Sequence, residues 1–180
     1  MKHSANEIDD QLVLRAISFA ARKHDGQFRK DGRTPYIAHP LRVMTILVAK
    51  FGVRDADLLA AAVLHDTIED TSTDRDQISE QFGERVAGFV ADLSKDKRLP
   101  EADREPIYYD HLAKAPVEVK LCKLADSLDN LIDSAGLPPA ERAKSADRAR
   151  RLVGVFSPGF PPEWQHVLQS VREELATGES

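Results

Sequence analysis

The chain has 180 residues, 42% apolar and 31% charged, with 6% aromatic side chains and a net charge of −5. That length can bury a core without staples, and a single cysteine, Cys122, excludes an intrachain disulfide and fits a reducing cytoplasm. The acidic balance argues against a nucleic-acid partner, and the lack of a membrane-length apolar run or a secretory leader argues against a membrane or secreted location.

Leu12, Val13, Ala16, Phe19 and Ala20 have helical spacing and predict a first helix from Asp9 to His24, closed by Gly26. Gln27 to Ala38 (QFRKDGRTPYIA) has no such period and reads as an ordered loop punctuated by Gly32 and Pro35. Pro40 suits the first position of the next helix, which leaves His39 at the cap with its ring free to turn inward. Leu58 to Thr71 (LLAAAVLHDTIEDT) is expected to be one helix, apolar on every side as far as Leu64. It then carries His65, Asp66, Glu69 and Asp70, with His65 one turn before Glu69 and Asp66 one turn before Asp70. Three carboxylates at a buried helix end reach solvent, take up protons or surround a cation. The neighbouring histidine adds a nitrogen ligand and makes the cation the sharpest reading; a frayed, solvated acidic end is the plainer one.

Short helices follow to Phe82 and from Arg85 to Leu93, then a basic loop from Ser94 to Pro100 and a helix from Glu101 to Ala115. Val117 to Ser134 presents an apolar stripe (Val117, Leu121, Leu124, Leu128, Leu131, Ile132). On a second face Val119, Cys122, Asp126, Asn130 and Asp133 fall together. An aspartate in such a place needs a partner, either Lys123 or a group from another element. Helices from Pro138 and from Pro162 to Ala176 complete one all-α domain over 1–180, a bundle of about nine helices with no period-two strand pattern. Basic residues gather at Arg22, Lys23, Arg29, Lys30 and Arg33 and again at Lys95, Lys97 and Arg98. Such patches suit a small polyanion, unless they are merely solvated loops.

His39, then His65-Asp66, then Asp126 follow the ligand order of the HD-domain metal phosphohydrolases, which the chain resembles. GQFRKDGRTPYIAHP, LLAAAVLHDTIEDT, FGERVAGFVADLSKDK and VKLCKLADSLDN look like the hydrolase domain of the RelA/SpoT family over roughly 9–156, with the helices of 138–177 packed on it. Without room for a synthetase domain, the chain is similar to the stand-alone, Mesh-type small alarmone hydrolases. The resemblance implies an HD-domain helical bundle and a manganese-dependent enzyme that removes pyrophosphate from the ribose 3′ position of the nucleotide ppGpp. It implies that His39, His65, Asp66 and Asp126 bind Mn2+ and that Glu69 and Asp70 orient or deprotonate the attacking water. Arg29, Lys30 and Asn130 are then substrate residues, with Lys95 and Lys97 as weaker candidates for phosphate contact. Alternatives are an adenosine alarmone or NADPH at the same site, or a nucleotide-binding protein that has lost catalysis; a homo-oligomer stays open. His24 is expected beside the site, Cys122 in the core, and His3, His111 and His166 on the surface or in packing. The family commonly reads KLADRLHN where this chain reads KLADSLDN, so Ser127 replaces a basic residue and Asp129 a histidine. If either reaches the cleft, the local field becomes more negative.

Overall fold

The computed structural model describes residues 9–178 and, among them, ten α-helices, with no strand beyond an isolated bridge between Phe28 and Pro35. At the centre is α3 (Ala56–Leu64), in which every residue from Leu58 onward is buried. Fully burying a leucine or valine is worth roughly 1.5–3 kcal/mol, so this helix anchors whatever its end carries. Asp55 caps its start, accepting from the amides of Asp57 at 3.0 Å and Leu58 at 3.4 Å. α1 (Asp10–Lys23) and α2 (Ala38–Ala49) pack against it on two sides. α5 (Arg75–Phe82) and α6 (Glu84–Leu93) meet at Gly83, whose φ of +90° is open to glycine without steric cost. α6 also lies on α3, and Arg85 reaches back to grip Asp55 at 2.9 Å.

α8 (Val117–Asp133) is enclosed by α2, α6, α9 (Pro139–Phe156) and α10 (Gln165–Thr177), while α7 (Glu101–Lys114) bridges α6 and α9. One continuous apolar cluster runs from Leu12 to Val171. α8 is set deeper than a stripe implies, since residues 124–129 are all buried, Asp126 and Asp129 included. Ile132, expected in the stripe, is instead 43% exposed in the last turn. No helix among the described residues is long and apolar enough to cross a membrane.

Two expected boundaries move. The stretch from Leu58 to Thr71 is not one helix: it breaks at His65-Asp66 and resumes as the four-residue α4 (Thr67–Asp70). The Thr67 hydroxyl donates to the Leu64 carbonyl at 2.7 Å, and His65 Nδ1 lies 2.8 Å from the Ala62 carbonyl. Side chains therefore take the last carbonyls of α3, and the chain is free to turn. Pro40 is the third residue of α2, not the first, because the helix starts at Ala38. Its missing amide hydrogen still falls in the first turn, where no helical partner exists. His39 is thus inside that turn and not at its cap.

Candidate metal centre

The first turn of α2, the α3–α4 break and the middle of α8 converge. His39 Nε2 lies 3.1 Å from Asp126 Oδ1 and 3.6 Å from Asp66 Oδ2. His65 Nε2 lies 2.9 Å from Asp66 Oδ2 and 3.8 Å from Asp126 Oδ1. His39, His65 and Asp126 are buried, and each offers one ligand-type atom within 4.8 Å of the others. The Tyr36 hydroxyl donates to Asp66 Oδ2 at 2.6 Å and fixes that carboxylate from the loop side.

The far side of each ring decides whether these groups fit a metal. The Ala62 carbonyl can only accept, so His65 Nδ1 carries the proton and Nε2 presents its lone pair. That buried Nε2 has no hydrogen-bond partner. A bare nitrogen facing two carboxylates is the arrangement a divalent cation completes, and the mixed nitrogen and oxygen donors suit one. Protons compete for the same atoms. Burial works against charge on His39, but hydrogen bonds to Asp126 and Asp129 outweigh it and raise the ring to about 9. His65 is raised as well, burial being overcome by Asp66. Burial likewise opposes the charges of Asp66 and Asp126. The histidines, and for Asp126 above all Lys123, hold both carboxyls far below the usual carboxylate range.

Both readings of Asp126 hold at once. Its Oδ2 takes Lys123 Nζ at 2.7 Å, and its Oδ1 faces the rings. Asn130 donates to that same Oδ1 at 2.7 Å and accepts from Arg29 Nη2 at 2.8 Å; Arg29 Nε also donates to Asp133 at 2.9 Å. The Arg29 guanidinium lies 5.6 Å from the Tyr36 ring centre. These groups border a cavity of about 270 Å³, which five cationic side chains line (Arg29, Lys30, Lys95, Lys123, Arg148) against two carboxylates (Glu105, Asp126). An acidic protein thus presents a locally positive cleft, suited to a small polyanion. Lys30 stands at its rim, paired with Glu141 at 2.8 Å.

Glu69 and Asp70 flank this cleft on α4. Glu69 Oε2 accepts from the Lys95 amide at 3.1 Å. Lys97 lies outside the cavity lining, bonding the Glu69 carbonyl and standing 3.3 Å from Asp70 Oδ1. His24 is buried behind Tyr36, stacked on its ring at 4.7 Å, and Gln27 links it to the Asp70 carbonyl. Burial pushes the Cys122 thiol up, as expected of a core residue. His111 pairs with Asp92 at 3.2 Å, His166 is exposed, and His3 lies outside the described residues.

Tyr36, Arg148, Arg42 and Asp129 were given no site role from sequence, and Lys123 only that of a partner for Asp126. For Arg42 and Asp129 a signal existed: Asp129 is three residues after Asp126 and Arg42 three after His39, so each shares a helix face with a candidate ligand. Asp129 does not add negative field to the open cleft. It lies behind His39, 2.6 Å from Nδ1, with Arg42 against it.

A family model described as HD domain matches residues 16–158. The chain is 45% identical over 126 residues to the MESH1 guanosine-3′,5′-bis(diphosphate) 3′-pyrophosphohydrolase of Xenopus tropicalis, covering 69% of this chain and 70% of that one. It is 44% identical over 122 residues to the Homo sapiens protein of the same name, covering 67% and 68%. A solved structure described as a metazoan ortholog of SpoT that hydrolyzes ppGpp superposes with a TM-score of 0.82 at 30% identity, covering 98% of this chain and 97% of that one. The chain therefore belongs to the HD-domain family and, within it, to the MESH1 group.

Proposed function

We propose that the protein is a manganese-dependent 3′-pyrophosphohydrolase of guanosine alarmones. It acts on ppGpp or pppGpp and yields GDP or GTP and pyrophosphate. One observation carries the reading: two imidazole Nε2 atoms and the carboxylates of Asp66 and Asp126 meet beside a cation-lined cavity. His39, His65, Asp66 and Asp126 would hold the ion, which when bound lowers the pKa of a water and polarises a phosphoryl oxygen.

The chain's own groups do the rest. Glu69, with one oxygen fixed by the Lys95 amide, takes a proton from the attacking water. Asp70, held by Lys97, orients that water. Attack falls on the phosphorus attached to the ribose 3′ oxygen; the P–O bond to the ribose breaks, and the proton ends on the 3′ hydroxyl. Asn130 contacts the ribose or its 3′ phosphate, Arg29 stacks on the base, and Lys30, Lys95 and Lys123 offset phosphate charge.

Manganese-loaded protein incubated with ppGpp should release pyrophosphate, and a chelator should stop it. Intact ppGpp after prolonged incubation would sink the substrate assignment. Running the adenosine analogue and NADPH in parallel reads base preference, since NADPH can yield only orthophosphate from its 2′ position.

A further inference from the structure

Asp129 is 2% exposed and belongs to none of the metal or substrate positions above. Its Oδ2 lies 2.6 Å from His39 Nδ1, the ring nitrogen turned away from Asp66 and Asp126. Arg42 Nε donates to its Oδ1 at 2.6 Å and Arg42 Nη2 to its Oδ2 at 3.1 Å, a two-pronged grip by a planar guanidinium. Arg42 also reaches Asp133 Oδ1 at 2.8 Å, and the other Asp133 oxygen holds Arg29. An aspartate this deep, where the resembling family commonly has a histidine, is costly unless its charge is met. Arg42 meets it from the same helix as His39, one turn on.

We propose that Asp129 is a positioning residue: gripped by Arg42, it accepts the Nδ1 proton of His39 and holds the ring with Nε2 toward Asp126 and Asp66. This rests on His39 being a metal ligand and adds the device that aims it. A ring tied at Nδ1 keeps one tautomer and one orientation, and loss of such a tie weakens metal binding about 10- to 100-fold.

The test is manganese titrated calorimetrically into the metal-stripped full chain, as wild type, Asp129→Asn, Arg42→Gln, the double variant Asp129→Asn/Arg42→Gln, and His65→Ala. Melting temperature without metal is recorded for each. Asp129→Asn should bind manganese about tenfold or more weakly. Arg42→Gln should lower the metal-free melting temperature, because it leaves a buried carboxylate unmatched. The double variant should regain most of that melting temperature yet keep the weakened affinity, a split that a purely structural role would not produce. If wild type binds manganese, His65→Ala does not, and the folded double variant binds like wild type, the positioning role is wrong and the metal site stands. If wild type binds none, the metal reading fails and this inference with it.

Discussion

His39 and His65 turn the same atom, Nε2, toward the same two carboxylates, yet the chain holds them in unlike ways. His65 is tied at Nδ1 to the Ala62 carbonyl, three residues back in the last turn of α3. His39 is tied at Nδ1 to Asp129, ninety residues on. The first bond needs only the end of α3. The second exists only after α2 and α8 have docked, when the entropy of closing a long loop has been met by packing. Half of the candidate metal centre is local geometry, and the other half is a product of the tertiary fold.

The contrast is erased when either ring is removed. His39→Ala and His65→Ala should each abolish manganese uptake and pyrophosphate release, by calorimetry and product assay, however differently the two rings are held. Glu69→Gln comes next: kcat should fall about 10²- to 10⁴-fold while manganese uptake persists, because the inner ligands are untouched. A smaller effect sharpens the local half. Thr67→Val removes the bond to the Leu64 carbonyl that helps end α3, and should cost about 1 kcal/mol in denaturant melts with manganese affinity near that of wild type.

The smallest effect probes the same division at the other end of α3. Asp55 caps the helix locally and pairs with Arg85 across 30 residues. The Arg85 hydrogen bonds, outweighing burial, hold its carboxyl below the ordinary 3.8. The unfolded chain therefore binds that proton first. The stabilisation is present above pH 3.8 and is lost as pH falls through the lower, folded value. Asp55→Asn keeps a cap but loses the charge, so its stability should decline less than that of wild type across that acid window. The difference should stay under about 1 kcal/mol, as for a largely exposed pair. Equal acid dependence in the two proteins would assign the whole role to local capping.

The same division governs what could be read from sequence. Apolar spacing located α1 to within a residue, and the buried run before His65 was plain from Leu58 to Leu64. The break after Leu64 was not, because periodicity carries no trace of side chains that bond carbonyls. Proline at the start of α2 marked the right turn but the wrong register. The place of Asp129 was not legible for a deeper reason. Along one helix it reads as added negative charge, and the guanidinium that answers it lies 87 residues away. Lys97, expected at a phosphate, instead stands beside Asp70, since charge runs announce their sign and not their target.

Three of the cleft's five cations are already engaged: Arg29 with Asp133, Lys30 with Glu141 and Lys123 with Asp126. At those three positions an incoming nucleotide meets no naked charge; it trades places with resident anions. Added salt screens the contacts given up as well as those gained, so binding should weaken with ionic strength less steeply than the tally of lysines and arginines suggests. Such an exchange rewards ligands that bring several negative groups together over those that bring one.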